Sequence, residues 1–112
     1  MINKDSRIKM PTKTSRLKAI LPGEILYEDF MKPLKISAYR LAKEIKVPAQ
    51  RIGEILKGQR GITADTDLRL CRFFGLSNGY WLRAQAAYDL EIMQNQLKKS
   101  ISSIKPWKDS VA

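Results

Sequence analysis

Residues 37–61 have the sequence SAYRLAKEIKVPAQRIGEILKGQRG, which contains two short runs of apolar residues at helical spacing. The apolar residues in question are Leu41, Ala42, Ile45, Ile52, Ile55 and Leu56. Val47 and Pro48 interrupt the period between the two runs. The stretch therefore predicts a helix-turn-helix, a motif whose second helix lies in the major groove of DNA.

The segments on either side predict three more helices, because helix start and stop residues flank each pattern. The first predicted helix starts at Pro22 and ends at Pro33. The second spans 38–45 after the N-cap Ser37, and the third spans about 48–57 before Gly58. The fourth lies between the N-cap Thr63 and Gly75, and the fifth spans roughly 78–98 after the N-cap Ser77. In the fourth helix, Leu68, Cys71 and Phe74 are expected on one face. We expect an all-α chain that folds as a compact five-helix bundle.

The order of these patterns divides the chain into three parts. Residues 1–20 have no apolar period and many Lys and Arg, which predicts a basic, flexible arm. Residues 21–98 form the predicted helix-turn-helix DNA-binding domain, ending in a long helix, and residues 99–112 form a polar tail. The sequence leaves open whether the arm has a role, and what Trp107 does in the tail.

The charge and the residue types present restrict the class of function. The chain of 112 residues has a formal net charge of +10, which favours a nucleic-acid partner over a membrane, although a basic surface can also serve solubility alone. There is no histidine and only one cysteine, Cys71, which argues against general-base catalysis, metal binding and an internal disulfide. No apolar run is long enough to cross a membrane. We therefore expect no enzyme activity, no cofactor and no metal, in a cytoplasmic, nucleoid-associated protein.

The outer face of the third predicted helix carries the candidate base contacts. Gln50 can make a paired hydrogen bond to adenine and Arg51 to guanine, whereas Glu54 can accept from cytosine. Ala49 can pack against a thymine methyl group. Gly53 costs about 1 kcal/mol of helix stability relative to alanine. A close approach of the backbone to DNA would explain that cost, and a glycine without function is the alternative.

The candidate phosphate contacts lie at the ends of the two helices. Ser37 and Tyr39, at the start of the second helix, offer a hydroxyl and backbone N–H groups. Arg40 lies near the same end, where the helix dipole disfavours a cation unless an anion is bound. Lys57 and Arg60 follow the third helix and are placed to bind a second phosphate.

Three segments of the chain resemble a known family. These segments are LPGEIL, LAKEIKVPAQRIGEILKGQRGITADTDLRLCRFFG and WLRAQAAYDLE, within about residues 20–95. They are similar to the HigA-type antitoxins, to which proteins called virulence-associated protein I are also similar, in the Cro/CI-like helix-turn-helix superfamily. The resemblance implies a lambda-repressor-like fold and a homodimer that binds a palindromic double-stranded DNA operator and represses its own operon. It also implies a partner toxin, a small ribonuclease that cleaves mRNA.

The chain departs from the family pattern at the turn of the motif. Many relatives have glycine where this chain has Lys46, and a left-handed non-glycine residue costs about 1 kcal/mol. Cys71 stands where relatives often have a small aliphatic residue, and we expect it to be buried. The alternatives that stay open are a solitary regulator without a toxin, a module that mainly binds protein, and a nonspecific RNA-binding protein.

Overall fold

The computed structural model describes residues 19–108, which contain six helices and no strand. Helix α1 comprises the consecutive segments Pro22–Ile25, Leu26–Met31 and Lys32–Leu34, and it is followed by α2 (Ala38–Ile45), α3 (Ala49–Leu56), α4 (Ala64–Phe74), α5 (Tyr80–Gln96) and α6 (Lys98–Ser102). The predicted all-α class and helix-turn-helix are confirmed. The short helix α6 was not predicted. Residues 1–18 of the predicted arm and 109–112 of the predicted tail lie outside the described residues.

Local signals in the sequence set most helix ends. Pro22 occupies the first turn of α1, and the Ser37 hydroxyl accepts a hydrogen bond from the Arg40 N–H at the start of α2. Gly58 and Gly75 follow α3 and α4 with φ of 75° and 72°, the left-handed conformation that glycine adopts without strain. These predicted boundaries are confirmed because each depends on one residue and its nearest neighbours.

The end of α1 differs from the prediction. Pro33 does not end the helix, which continues through Leu34 and leaves helical geometry at Lys35, with φ of 55°. The residues before the proline, Leu26–Met31, form a π-helical stretch. A proline inside a helix lacks an N–H and crowds the carbonyl four residues earlier. The wider π turn accommodates the proline ring, so the helix passes it.

Aromatic side chains from α1, α4 and α5 form the centre of the core. The ring centroids of Phe30 and Phe74 are 4.9 Å apart, and those of Phe30 and Trp81 are 5.1 Å apart. Tyr80 packs edge to face on Trp81, which is fully buried. Tilted and edge-to-face pairs at these distances are the favourable aromatic geometries. This cluster holds α1 against the α4–α5 pair, and buried residues of α2 and α3, among them Leu41 and Ile52, belong to the same core.

The inner face of α4 matches the prediction at Cys71 and Phe74 but not at Leu68. Leu68 is 50% exposed, and the buried residues on this helix include Asp67, Leu70, Cys71 and Phe74. That set has the i, i+3, i+4, i+7 spacing of an amphipathic helix, with a carboxylate in an apolar position. A search for apolar periodicity rejects an aspartate and takes the neighbouring leucine, which explains the error. The predicted burial of Cys71 is confirmed, and burial raises the pKa of its thiol.

Asp67 belongs inside because it caps the next helix. The backbone N–H groups that donate to its carboxylate are those of Gly79 (2.7 Å), Trp81 (2.8 Å) and Leu82 (3.2 Å). The predicted N-cap Ser77 is therefore wrong, and α5 begins at Tyr80 instead of 78. An anion at a helix N-terminus satisfies N–H groups that have no partner within the helix.

Candidate nucleic-acid interface

The helix-turn-helix is formed by α2, Lys46, Val47, Pro48 and α3. Lys46 adopts the left-handed conformation, with φ of 62° and ψ of 50°, although it is not a glycine. The buried residues on the facing sides of the two helices are Leu41, Ala42, Ile45, Ile52 and Ile55. Pro48 lies at the N-cap of α3 with an extended backbone. The polar residues of α3 lie away from this buried side, and none of them is buried.

Helix α3 also packs closely on α1. A Cβ added to Gly23 of α1 would lie 2.2 Å from the carbonyl oxygen of Ile55, so only glycine allows this backbone approach. Gly53, on α3 itself, is different, because a Cβ built there meets no atom within 4 Å. No contact within residues 19–108 requires glycine at position 53. The absence of packing leaves the predicted approach to DNA as an explanation for this residue.

None of the residues predicted to contact DNA is buried. Ala49 and Gln50 are exposed, and Arg51, Gly53 and Glu54 are partly exposed. The predicted phosphate contacts, all exposed, are Ser37, Tyr39, Arg40, Lys57 and Arg60. Tyr39 is 70% exposed, which is far more than a tyrosine with a packing role would be. The contact roles themselves stay predictions.

A carboxylate on α3 brings two of these side chains together. Glu54 accepts a hydrogen bond from Gln50 Nε2 at 2.8 Å and another from Arg60 Nε at 2.8 Å. The hydrogen bonds from Gln50 and then from Arg60 lower the pKa of the Glu54 carboxyl. Arg40 is likewise paired with Glu44, one turn along α2, at 2.6 Å. Three predicted contact residues, Gln50, Arg60 and Arg40, are thus paired with neighbouring carboxylates.

A second carboxylate, which the sequence did not single out for this role, joins α3 to α4. Asp65 accepts from Arg51 Nη1 at 2.5 Å and from Arg69 Nε at 3.1 Å. Arg69 also donates through Nη1 to the carbonyl oxygen of Ile45 at 2.9 Å and to that of Lys46 at 3.3 Å. Asp65 and Arg69 are an i, i+4 pair on α4, but Arg51 lies 14 residues from Asp65, and Ile45 lies 24 residues from Arg69. Local spacing therefore signals only the Asp65–Arg69 part of the network.

The described residues give no sign of a metal site or a membrane segment. Within 19–108, no group of three or more His, Cys, Asp or Glu side chains is arranged to hold a metal ion. None of the helices in this range combines the length and the apolar composition needed to cross a bilayer.

Comparison with known proteins agrees with this geometry. A scan against models of protein families finds no match. The chain is 50% identical over 99 residues to virulence-associated protein I of Dichelobacter nodosus, an alignment that covers 88% of this chain and 91% of that protein. Among solved structures, it is similar to a HigA-family addiction module antidote protein from Coxiella burnetii, with 43% identity, a TM-score of 0.75, and coverage of 80% of this chain and 98% of that one.

A second solved structure is similar over the same share of the chain. It is the Pseudomonas aeruginosa antitoxin HigA with the higBA promoter, at 38% identity and a TM-score of 0.76, covering 80% of this chain and 98% of that one. The fold and the exposed α3 therefore define a helix-turn-helix protein of the transcription-regulator class. Within that class, the chain belongs to the HigA antitoxin family, as the sequence resemblance predicted.

Proposed function

We propose that this protein is a sequence-specific DNA-binding repressor that serves as the antitoxin of a toxin–antitoxin system. It binds the operator of its own operon as a homodimer and neutralises a small mRNA-cleaving ribonuclease. The observation that carries the proposal is the exposed polar face of α3, on a chain of net charge +10. The relative from Pseudomonas aeruginosa is described with its promoter DNA, which supports the same role here.

On this proposal, α3 enters the major groove and contacts base edges through its exposed face. Gln50 and Arg51 contact purines, Glu54 accepts from cytosine, and Ala49 packs on a thymine methyl group. The absence of a side chain at Gly53 lets the backbone lie close to the duplex. Two copies of the chain present two such helices, so the half-sites are about one helical turn apart on one face of a palindrome.

The phosphate contacts set the position of the protein on the duplex. Ser37 and the first backbone N–H groups of α2 bind one phosphate together with Tyr39 and Arg40. Lys57 and Arg60 bind a second phosphate at the other end of α3. Arg40 and Arg60 leave their carboxylate partners in part to do so, because a phosphate competes with Glu44 and Glu54 for their donors. The protein acts on the nucleoid, in the cytoplasm.

The test is a binding assay with the DNA upstream of the protein's own operon and a random duplex of equal length. Gln50→Ala is expected to lower operator affinity about tenfold and to leave random-duplex affinity unchanged, because it removes a base contact. Lys57→Ala is expected to weaken binding to both duplexes alike and to reduce the salt dependence by about one ion, because it removes a phosphate contact. Lys57 is preferable to Arg60 here, since Arg60 also holds Glu54. Equal effects of the two variants on both duplexes would contradict the assignment.

The antitoxin role has a separate test. The product of the neighbouring gene is expected to arrest growth when expressed alone and to be neutralised when this chain is co-expressed. A complex of the two proteins is expected to copurify. If the neighbouring product has no effect on growth, the protein is a solitary regulator, and the repressor part of the proposal stands on the binding assay alone.

A further inference from the structure

The side chain of Arg51 is held in place by a partner from another helix. Its Nη1 atom donates to Asp65 Oδ2 at 2.5 Å and lies 3.5 Å from the hydroxyl oxygen of Thr66. Both partners belong to the first turn of α4, whereas Arg51 belongs to α3. The Arg51 side chain is only 26% exposed, compared with 53% for Asp65. The arginine stem is therefore packed between the two helices, and its direction is fixed by the carboxylate.

The carboxylate is itself fixed from the other side. Asp65 Oδ1 accepts from Arg69 Nε at 3.1 Å, and Arg69 Nη1 donates to the carbonyl oxygens of Ile45 and Lys46. Ile45 is the last residue of α2, and Lys46 is the left-handed residue of the turn. A continuous series of hydrogen bonds thus joins the turn of the helix-turn-helix to Arg51. One end of this series is backbone, so the Asp65 carboxylate is connected to the turn of the motif through Arg69.

Arg51 keeps donors for a partner after these bonds are made. A guanidinium has five N–H donors in a planar arrangement, and the Asp65 bond uses only Nη1. Within residues 19–108, Nε and Nη2 of Arg51 donate no hydrogen bond. Two parallel N–H groups are what a bidentate contact to guanine requires. The ion pair therefore leaves Arg51 able to contact a base while removing its freedom to adopt other rotamers.

Stability does not account for this arrangement. Exposed ion pairs contribute little to the free energy of unfolding, and Asp65 is exposed. The pKa of Asp65 is lowered by the hydrogen bonds from Arg51 and then from Arg69, as expected for a carboxylate held by two cations. A negative charge beside the DNA-binding helix is also unfavourable for binding to any phosphate backbone. The arrangement therefore calls for an explanation other than stability or general affinity for DNA.

We propose that Asp65 is a positioning residue that determines sequence specificity: it orients Arg51 for one base pair before DNA is bound. The inference rests on the proposed operator binding. Holding a long side chain in its bound conformation spares the loss of rotamer freedom that binding otherwise requires. An arginine released from Asp65 can reach phosphates and several bases, so it would contribute to affinity without selectivity. Asp65 acts through Arg51 and makes no base contact itself.

The experiment compares binding of the wild type, Asp65→Asn, Asp65→Glu, Arg51→Ala and the Asp65→Asn/Arg51→Ala double variant to operator and random duplexes. Asp65→Asn is expected to lower the operator-to-random affinity ratio about tenfold. Its random-duplex affinity is expected to rise two- to threefold, because a negative charge is removed. Asp65→Glu keeps the charge but displaces the carboxylate. Its operator-to-random affinity ratio is therefore also expected to fall, but its affinity for the random duplex is not expected to rise.

The double variant distinguishes positioning from an independent contribution. Its ratio is expected to equal that of Arg51→Ala, because Asp65 has no role once Arg51 is absent. The matched control is Asp89→Asn, which removes the same charge from α5, where Asp89 accepts a hydrogen bond from Gln85. It is expected to leave the ratio unchanged. Circular dichroism and thermal unfolding verify that every variant is folded.

The outcomes separate the inference from the proposed function. A wild type that shows no preference for the operator overturns the proposed function. A selective wild type with an unchanged ratio in both Asp65 variants overturns the positioning role alone. The positioning role is also overturned if the reductions in the operator-to-random ratio add in the double variant, because additivity means that the two residues act independently.

Discussion

Asp65 and Asp67 occupy the same turn of α4 but belong to different regions of the molecule. Successive helix residues are about 100° apart, so these two side chains point to nearly opposite sides. Asp65 is exposed and pairs with Arg51 and Arg69 at the DNA-binding surface. Asp67 is 1% exposed and accepts from three backbone N–H groups at the start of α5. The comparison teaches that the helix dipole, which favours both carboxylates equally, decides the role of neither.

The two regions also differ in what a substitution disturbs. In the α4–α5 junction, removing the carboxylate leaves N–H groups without acceptors in a place that solvent does not reach, which lowers the free energy of unfolding. At the DNA-binding surface, solvent can satisfy the arginines that lose a partner. We therefore expect variants of the junction to change folding, and variants of the surface to change DNA selectivity.

Asp67→Ala is expected to have the largest effect, a loss of about 3–5 kcal/mol in the free energy of unfolding, because each buried N–H group left without an acceptor costs about 1–3 kcal/mol. The reason is the loss of all three N–H acceptor contacts at the start of α5. Urea denaturation measures the change, with Asp65→Ala as the control on the same helix. Asp65→Ala is expected to cost only a small fraction of that value. Comparable losses in the two variants would remove the distinction between the regions.

Gly23→Ala is expected to have the next largest effect, a loss of about 2–3 kcal/mol in the free energy of unfolding, because the new Cβ overlaps a backbone carbonyl. The separation of α1 from α3 must then increase. Thermal unfolding measures the effect, and operator affinity is measured below the transition. A Gly23→Ala protein with wild-type stability would mean that α1 and α3 are packed less closely than the structure has them.

Gly53→Ala tests the same substitution at the surface. The variant is expected to be more stable by about 1 kcal/mol, since alanine favours the helix and its methyl group meets no atom. Operator affinity is nevertheless expected to fall by roughly tenfold, the size of one lost base contact. A gain in stability together with a loss of operator affinity would distinguish Gly53, a surface position, from Gly23, where the same substitution is expected to destabilise the fold. A variant that gains stability and keeps full affinity would show that the DNA backbone does not approach position 53.

Lys46→Gly is expected to have the smallest effect, a gain of about 1 kcal/mol in stability. Lys46 has a φ of 62°, where a Cβ is unfavourable and glycine is not. The control is Lys43→Gly, in the last turn of α2, which is expected to lose about 1 kcal/mol because glycine disfavours a helix. Denaturant titration of the pair gives the comparison. A destabilised Lys46→Gly would indicate that the lysine side chain contributes more to the turn than its backbone strain costs.

The sequence predicted features that depend on residues close together in the chain. Ser37, Pro48 and Gly58 were correctly placed at helix ends because each acts on groups within a few residues. The predicted DNA-facing residues are accessible because apolar spacing already assigned the opposite face of α3 to the core. Their contact roles stay predictions. The prediction was wrong for Leu68 and Ser77. Asp67 is buried on the inner face of α4 where Leu68 was expected, and it caps α5 where Ser77 was expected.

Sequence by itself determined the helical class and the position of the helix-turn-helix, because these follow from apolar period and helix-end residues. The resemblance of three sequence segments to the HigA-type antitoxins indicated the family. Only the tertiary structure decided that Asp67 caps α5 and that Asp65 connects Arg51 to the turn. Apart from the Asp65–Arg69 pair, which is four positions apart, those bonds join residues 12 to 24 positions apart, and their energies depend on burial. No pattern of residue types along the chain encodes which of two nearby carboxylates is enclosed and which meets solvent.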